Sequence, residues 1–154
     1  MGQLSLLAGC IFVERRSRLN LSDEIREITE TLNAGVNVTI FPEATSTNGE
    51  QVIRFRRPLF QSALDAKATL HPLAINYLSI DNQKLTLQNR DHVFWYGDMT
   101  FFGHLWGLFK LKEIELTVTF AKSYRPQCVE QPADLAAKGH ALVSAVYRPI
   151  LGEA

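Results

Sequence analysis

Glu43, with Thr45, Ser46 and Thr47 close behind it, is the densest grouping of residues able to do chemistry in this chain. The preceding run, Val36-Asn37-Val38-Thr39-Ile40, alternates apolar and polar residues as a strand does, and Phe41-Pro42 stops it. An earlier stretch, Cys10 to Val13, reads as a short buried strand, and Glu14 and Arg15 follow it directly. Two such strands lying parallel would turn both carboxyl ends to one rim, where ligands of open α/β sheets gather. Arg15 would offer a planar fork suited to phosphate. Glu43 cannot bind phosphate itself; it would orient the arginine or accept a hydrogen bond from a substrate hydroxyl. Arg15, Arg16 and Arg18 also fit a solvated turn with Glu43 paired to one of them, and Thr45 to Thr47 fit an N-cap or a turn.

The elements around this grouping follow from periodicity and punctuation. Leu21, Ile25, Ile28 and Leu32 recur at helical spacing, with Ser22 as N-cap, Asp23 and Glu24 in the first turn, and Asn33-Ala34-Gly35 as the stop. With strands Cys10 to Val13 and Val36 to Phe41 on either side, that helix makes a β-α-β unit and implies a parallel pair. Asn48-Gly49 marks a turn. Pro58 opens a helix to about Ala68, and Leu70 to Ile80 holds a third strand. Leu85 and Leu87 suggest a short further strand, and His92 to Tyr96 a loop or strand lead-in. Met99 to Lys112 reads as a helix capped by Asp98, apolar round most of its circumference, which suits either a buried core helix or a bilayer interface. Ile114, Leu116, Val118 and Phe120 alternate with polar residues as a half-buried strand does, and Leu135 to Tyr147 is a terminal amphipathic helix. The fold class is α/β: a single domain over residues 1–154 with a mainly parallel central sheet flanked by helices.

Composition narrows the function classes. With 154 residues, 46% of them apolar and 21% charged, the chain suits one globular domain. Sixteen basic residues balance sixteen acidic ones, so no net field draws nucleic acid, and electrostatic work falls to local patches such as Arg15, Arg16, Arg18 and Arg54, Arg56, Arg57. Cys10 and Cys128 are too far apart for a Cys-x-x-Cys pair, and the four histidines show no metal-ligand spacing, so no metal site is expected. The apolar run Leu4 to Val13 is too short to span a bilayer and lacks the basic start of a signal peptide. Met1-Gly2 lacks the Ser or Thr that myristoylation wants at the sixth position, where Leu6 stands. A reducing, cytoplasm-facing environment is the expectation.

In order along the chain, several motifs resemble those of the glycerolipid acyltransferases, which acylate lysophosphatidic acid and related lipids. Gly9 to Arg15 is similar to Gly-x-x-Phe-Ile-x-Arg, and Phe41-Pro42-Glu43-Ala44-Thr45 to Phe-Pro-Glu-Gly-Thr. Asn48-Gly49 and Phe55-Arg56-Arg57-Pro58-Leu59-Phe60 look like the turn and basic continuation that follow. His71-Pro72-Leu73-Ala74-Ile75 resembles the fourth, proline-centred motif, and Trp95-Tyr96-Gly97-Asp98 with His104 looks like bacterial members. The resemblance implies that Arg15 holds the acceptor phosphate and that Phe41, Pro42, Glu43, Ala44, Thr45 and Pro72 shape the substrate pocket. It also implies a lysophospholipid acceptor, an acyl-CoA or acyl-carrier-protein thioester as cosubstrate without a bound cofactor, and association with the cytoplasmic face of a membrane.

Two departures stand out. Ala44 replaces the usual glycine, and Ser46 stands where many members carry a second arginine. The family's catalytic His-x-x-x-x-Asp lies upstream of the Gly9 motif, and only eight residues precede Gly9 here. The fifth residue after His71 is Asn76, after His92 Gly97, after His104 Phe109 and after His140 Ala145, so no histidine is followed by the aspartate. Catalytic residues are therefore none, and the expectation is the C-terminal portion of a glycerol-3-phosphate acyltransferase-like fold, N-terminally incomplete and inactive alone. The rivals are a noncatalytic lipid-phosphate binding module and a soluble α/β hydrolase using Glu43.

Overall fold

The computed structural model describes residues 20–150. Arg15 and the expected strand Cys10 to Val13 lie outside those residues. The described chain is α/β, ordered α1 (Leu21–Asn33), α2 (Phe60–Asp65), β1 (Leu73–Ile80), β2 (Gln83–Lys84), a 3-10 turn (Arg90–His92), α3 (Phe101–Leu108), β3 (Ile114–Phe120) and α4 (Pro132–Val146). It divides into two compact units. The first comprises residues up to Ala44, Phe55–Leu70 and Tyr124–Ala137; the second comprises Thr45–Arg54, His71–Ser123 and the chain from Lys138.

In the first unit, α1 buries Ile28 and Glu24 and keeps its other face for Arg26, which pairs with Asp23 at 2.8 Å. Its end is set by Gly35 at φ +82°, where the Gly35 amide donates to the Leu32 carbonyl at 3.0 Å and the Val36 amide to Thr31 at 3.2 Å. That paired pattern is a Schellman cap, and the φ it needs falls on the residue that bears it without strain. The N-terminal position is held by Asn20, with no side-chain cap, rather than by Ser22. α2 begins at Phe60, two residues later than Pro58 suggested, and stacks Phe60 on Phe55 with ring centroids 6.5 Å apart. The Tyr124 hydroxyl donates to the Leu135 carbonyl at 3.0 Å, and burial, with Glu130 adding to it, pushes its pKa up to about 12. α4 starts at Pro132, where proline suits the first helical position, and Asp134 Oδ2 accepts from the Gln131 amide at 2.8 Å as half of a capping box.

The second unit holds the sheet, in the order β2-β1-β3 with both pairs antiparallel. This corrects the expected parallel sheet for the described strands. The physical reason is the connection: Asp81 and Asn82 at φ +48° and +63° form a two-residue turn that folds β2 straight back on β1, where a parallel partner would need a crossover. Val36 to Ile40 joins no ladder among the described residues. The strand expected at Leu85 and Leu87 ends instead at Lys84, because Asn89 Oδ1 takes the Thr86 amide at 2.8 Å and turns the chain away.

Register places Leu73, Ile75 and Tyr77 opposite Phe120, Val118 and Leu116, giving one apolar face. A bulge between Tyr77 and Ser79 turns Ile80, opposite Ile114, onto that same face. There Ile80, Leu85 and Ile150 form a core against Tyr77, Val93, Phe94, Leu111 and Ile114. Leu116, Val118 and Phe120 stay exposed, so the alternation marked the strand correctly but not its burial. The reverse face carries Asn76, 1% exposed, whose amide nitrogen donates to Thr119 Oγ1 at 3.3 Å and the Val146 carbonyl at 3.2 Å, while its oxygen accepts from the Arg148 amide at 2.7 Å. Its polar atoms are paired, as a buried amide requires.

α3 is shorter than the expected Met99 to Lys112, because Lys110 and Leu111 close i to i−3 turns on Gly107 and Leu108. Thr100, not Asp98, occupies its N-cap position.

Candidate functional site

Phe41 to Ala44 form one tight turn in the first unit. The Ala44 amide donates to the Phe41 carbonyl at 3.1 Å, with Pro42 and Glu43 at the corners. Proline suits the first corner because its ring already holds the φ that a turn needs there. The Arg56 amide donates to the Pro42 carbonyl at 2.7 Å and ties the turn to the segment leading into α2. Ala44 then leaves the turn at φ +57°, in the left-handed region. For a residue with a Cβ that conformation costs roughly 1–2 kcal/mol. The glycine usual at this position of the resembling motif thus answers a backbone demand that persists here under an alanine.

The expected substrate residues are distributed over both units. Phe41, 73% exposed, lies with half-buried Pro42, Glu43 and Ala44 in the first. Thr45 and Pro72 belong to the second. The Thr45 hydroxyl makes one long hydrogen bond to the Ser46 carbonyl at 3.4 Å, and the Pro72 carbonyl accepts from the Ala121 amide at 2.9 Å at the mouth of β1. Next to it, His71 Nδ1 and Ser123 Oγ are 2.7 Å apart, which makes His71 a partner of that hydroxyl at the sheet margin. The convergence of Arg15 with Glu43 lies outside the described residues.

In the second unit, the contacts that hold the Asn48-Gly49 turn and the burial of Arg90 escaped the sequence reading. The Asn48-Gly49 turn is held from three sides: Gly49 is buried at φ +79°, its carbonyl accepts from Tyr147 Oη at 2.7 Å and from the Ile150 amide at 3.1 Å, and Glu50 pairs with Arg90. Arg90 is itself largely buried, lies 5.5 Å over the Tyr96 ring, and has its pKa held above the ordinary arginine value chiefly by the Glu50 hydrogen bond. The Tyr96 hydroxyl donates to Asp91 at 2.7 Å, which raises the phenol's pKa. The signal for the turn was Asn-Gly; nothing in the spacing of Glu50 and Arg90 marked them as partners.

In the first unit a cavity of about 220 Å³ is lined by Gln61, Asp65, Lys67, Cys128 and Glu130 among others, and by no expected substrate residue. Among the described residues no group of three or more His, Cys, Asp or Glu could hold a metal ion.

The Acyltransferase family model matches residues 1–76, a stretch that runs through the Phe41–Ala44 turn to Asn76. The 1-acyl-sn-glycerol-3-phosphate acyltransferase of Neisseria gonorrhoeae is 31% identical over 120 residues, covering 78% of this chain and 45% of that protein. The chain belongs to the glycerolipid acyltransferase family. The lyso-ornithine lipid O-acyltransferase of Rhizobium meliloti is 29% identical over 129 residues, covering 79% of this chain and 44% of that protein. The one from Pseudomonas aeruginosa is 41% identical over 76 residues, covering 49% of this chain. The chain therefore spans a little under half the length of the first two relatives. No solved structure gives a significant match.

Proposed function

We propose that this chain forms the acceptor-binding portion of an acyltransferase of phospholipid biosynthesis. The observation that carries the reading is the Phe41–Ala44 turn. It keeps the left-handed backbone its motif demands, and it lies inside the stretch that the family model matches. The acceptor is a lysophospholipid such as 1-acylglycerol-3-phosphate, and the donor is an acyl-CoA or acyl-carrier-protein thioester.

In the transfer, the acceptor hydroxyl oxygen attacks the thioester carbonyl, the C–S bond breaks, and a general base takes the hydroxyl proton while the thiolate leaves. Arg15 binds the acceptor phosphate, Phe41 to Thr45 shape the pocket around the glycerol, and Pro72 fixes the adjoining loop. The base is the component this chain does not supply, since no histidine here has an aspartate five residues on. That favours a second reading, a lipid-phosphate binding module without chemistry. In both readings the 154-residue chain alone binds acceptor and does not turn over.

Calorimetry with a soluble short-chain lysophosphatidic acid, run beside an acyl-CoA transfer assay, tests this. Arg15→Ala is expected to weaken acceptor binding by about tenfold or more, the loss of a charge-assisted bidentate contact. Unchanged binding in that variant overturns the acceptor reading, and product formation by the isolated chain overturns its inactivity. The membrane association and cytoplasmic facing that the resemblance implied belong to the same proposal; no helix among the described residues is long and apolar enough to cross a membrane.

A further inference from the structure

We propose that α3 and the turn after it form an interfacial anchor, which seats the second unit on the surface of an anionic bilayer. Phe102, Trp106 and Phe109 are spaced i, i+4, i+7, so they share one side of the helical path. They are 71%, 67% and 72% exposed. That side is where a helix of a water-soluble surface carries charge. The rest of the circumference is also apolar: Phe101 is 40% exposed, and Leu105, Leu108 and His104 are half-buried.

The aromatic groups are braced in place. The Trp95 indole N–H donates to the Met99 carbonyl at 2.8 Å, its ring meets Phe101 edge-on at 5.7 Å, and Phe101 meets Phe102 the same way at 5.6 Å. Between the flanking acids Asp98 and Glu113, the fixed charges are Lys110 and Lys112, both exposed.

Several occupants could cover an apolar face, and charge selects among them. An anionic headgroup layer meets the lysines with opposite charge while the aromatic rings enter the acyl boundary, the division of labour of interfacial helices. Eight helical residues at a rise of about 1.5 Å each lie in that plane rather than across it. The inference rests on the lipid-acceptor reading, because an acceptor with an acyl chain is presented in a bilayer.

Co-sedimentation of the full 154-residue chain tests it, with vesicles of phosphatidylglycerol and phosphatidylcholine in equal parts and of phosphatidylcholine alone. The chain is expected to pellet with the anionic vesicles and its tryptophan emission to shift to the blue. The triple variant F102S/W106S/F109S should stay in the supernatant with an unchanged circular dichroism spectrum. Phe102→Ser alone, at an exposed site, serves should the triple variant fail to fold, and should weaken binding severalfold. K110E/K112E should weaken binding to anionic vesicles by about tenfold or more, as reversing two charges near such a surface requires, and leave binding to neutral vesicles unchanged. A wild-type chain that stays in the supernatant, or aromatic variants that pellet like it, overturn the proposal. So does a wild-type dimer in sedimentation that these variants abolish. Binding of the soluble short-chain acceptor without vesicle binding sinks the anchor and leaves the acceptor reading standing; vesicle binding without the soluble acceptor does the reverse.

Discussion

Ala44 and Gly49 face the same backbone demand with different side chains. Both sit in the left-handed region, at φ +57° and +79°. At Gly49 the surroundings allow nothing else: a Cβ there would lie 2.7 Å from Cζ of the Phe94 ring, and 3.1 Å from Ile150 Cδ1. At Ala44 the methyl group sits in a half-exposed turn, where the backbone penalty is borne. The difference teaches that a glycine can mark two separate constraints. One is the φ value alone, which alanine meets at a cost; the other is φ together with a packed wall, which alanine cannot meet.

The comparison breaks most sharply at Gly49. Gly49→Ala is expected to destabilise the protein by about 3 kcal/mol or more, since left-handed strain and an aromatic overlap act together. Urea unfolding reads this directly, and a loss below about 1 kcal/mol would mean the ring moves aside freely. Repeating the substitution in a Phe94→Leu background separates the two constraints. With the ring gone, the cost of the alanine should fall to the backbone share, about 1–2 kcal/mol, and the double-mutant cycle should return the remainder as coupling. A cycle that closes with no coupling would assign the whole effect to φ. Tyr147→Phe is a smaller probe of the same wall. It removes the hydroxyl that donates to the Gly49 carbonyl at 2.7 Å, and should cost about 1 kcal/mol, because the Ile150 amide still serves that carbonyl.

The same contrast explains what could be read from residues alone. Turns and stops were legible, because their signals are local: Asn48-Gly49, the Gly35 cap and the stop at Pro42 each answer to a φ preference a few residues wide. Strands β1 and β3 were legible for the same reason. Pairing direction was not, because it depends on where the chain goes next, and Asp81-Asn82 sends it back at once. Burial was legible at Ile28 and not at Phe102 or Phe120, since apolar periodicity shows that a face is apolar and says nothing of what covers it. The Arg90–Glu50 pair spans 40 residues of sequence and leaves no periodic trace. For the candidate site, the stop at Pro42 was legible, while the strand expected to lead into it joins no ladder among the described residues and the arginine meant to meet Glu43 lies outside them.

The smallest effect is the most telling for the candidate site. Ala44→Gly relieves roughly 1–2 kcal/mol of left-handed strain and loosens the unfolded chain by about 0.4–1 kcal/mol, so a net gain of about 0.5–1 kcal/mol is expected. Lys67 offers a control in the same unit: it ends α2 at φ +50°, with the Lys67 amide donating to Leu64 and the Ala68 amide to Ala63. Lys67→Gly should give a gain of similar size, because only backbone strain is removed there as well. Equal gains from both variants mean that the Ala44 methyl is a bystander. A gain at Lys67 without one at Ala44 means that the methyl makes packing contacts worth the strain, and the turn is then built around alanine. Running both variants in the acceptor calorimetry carries the distinction from stability to function, since a methyl that packs should alter acceptor affinity when it is removed, and a bystander should not.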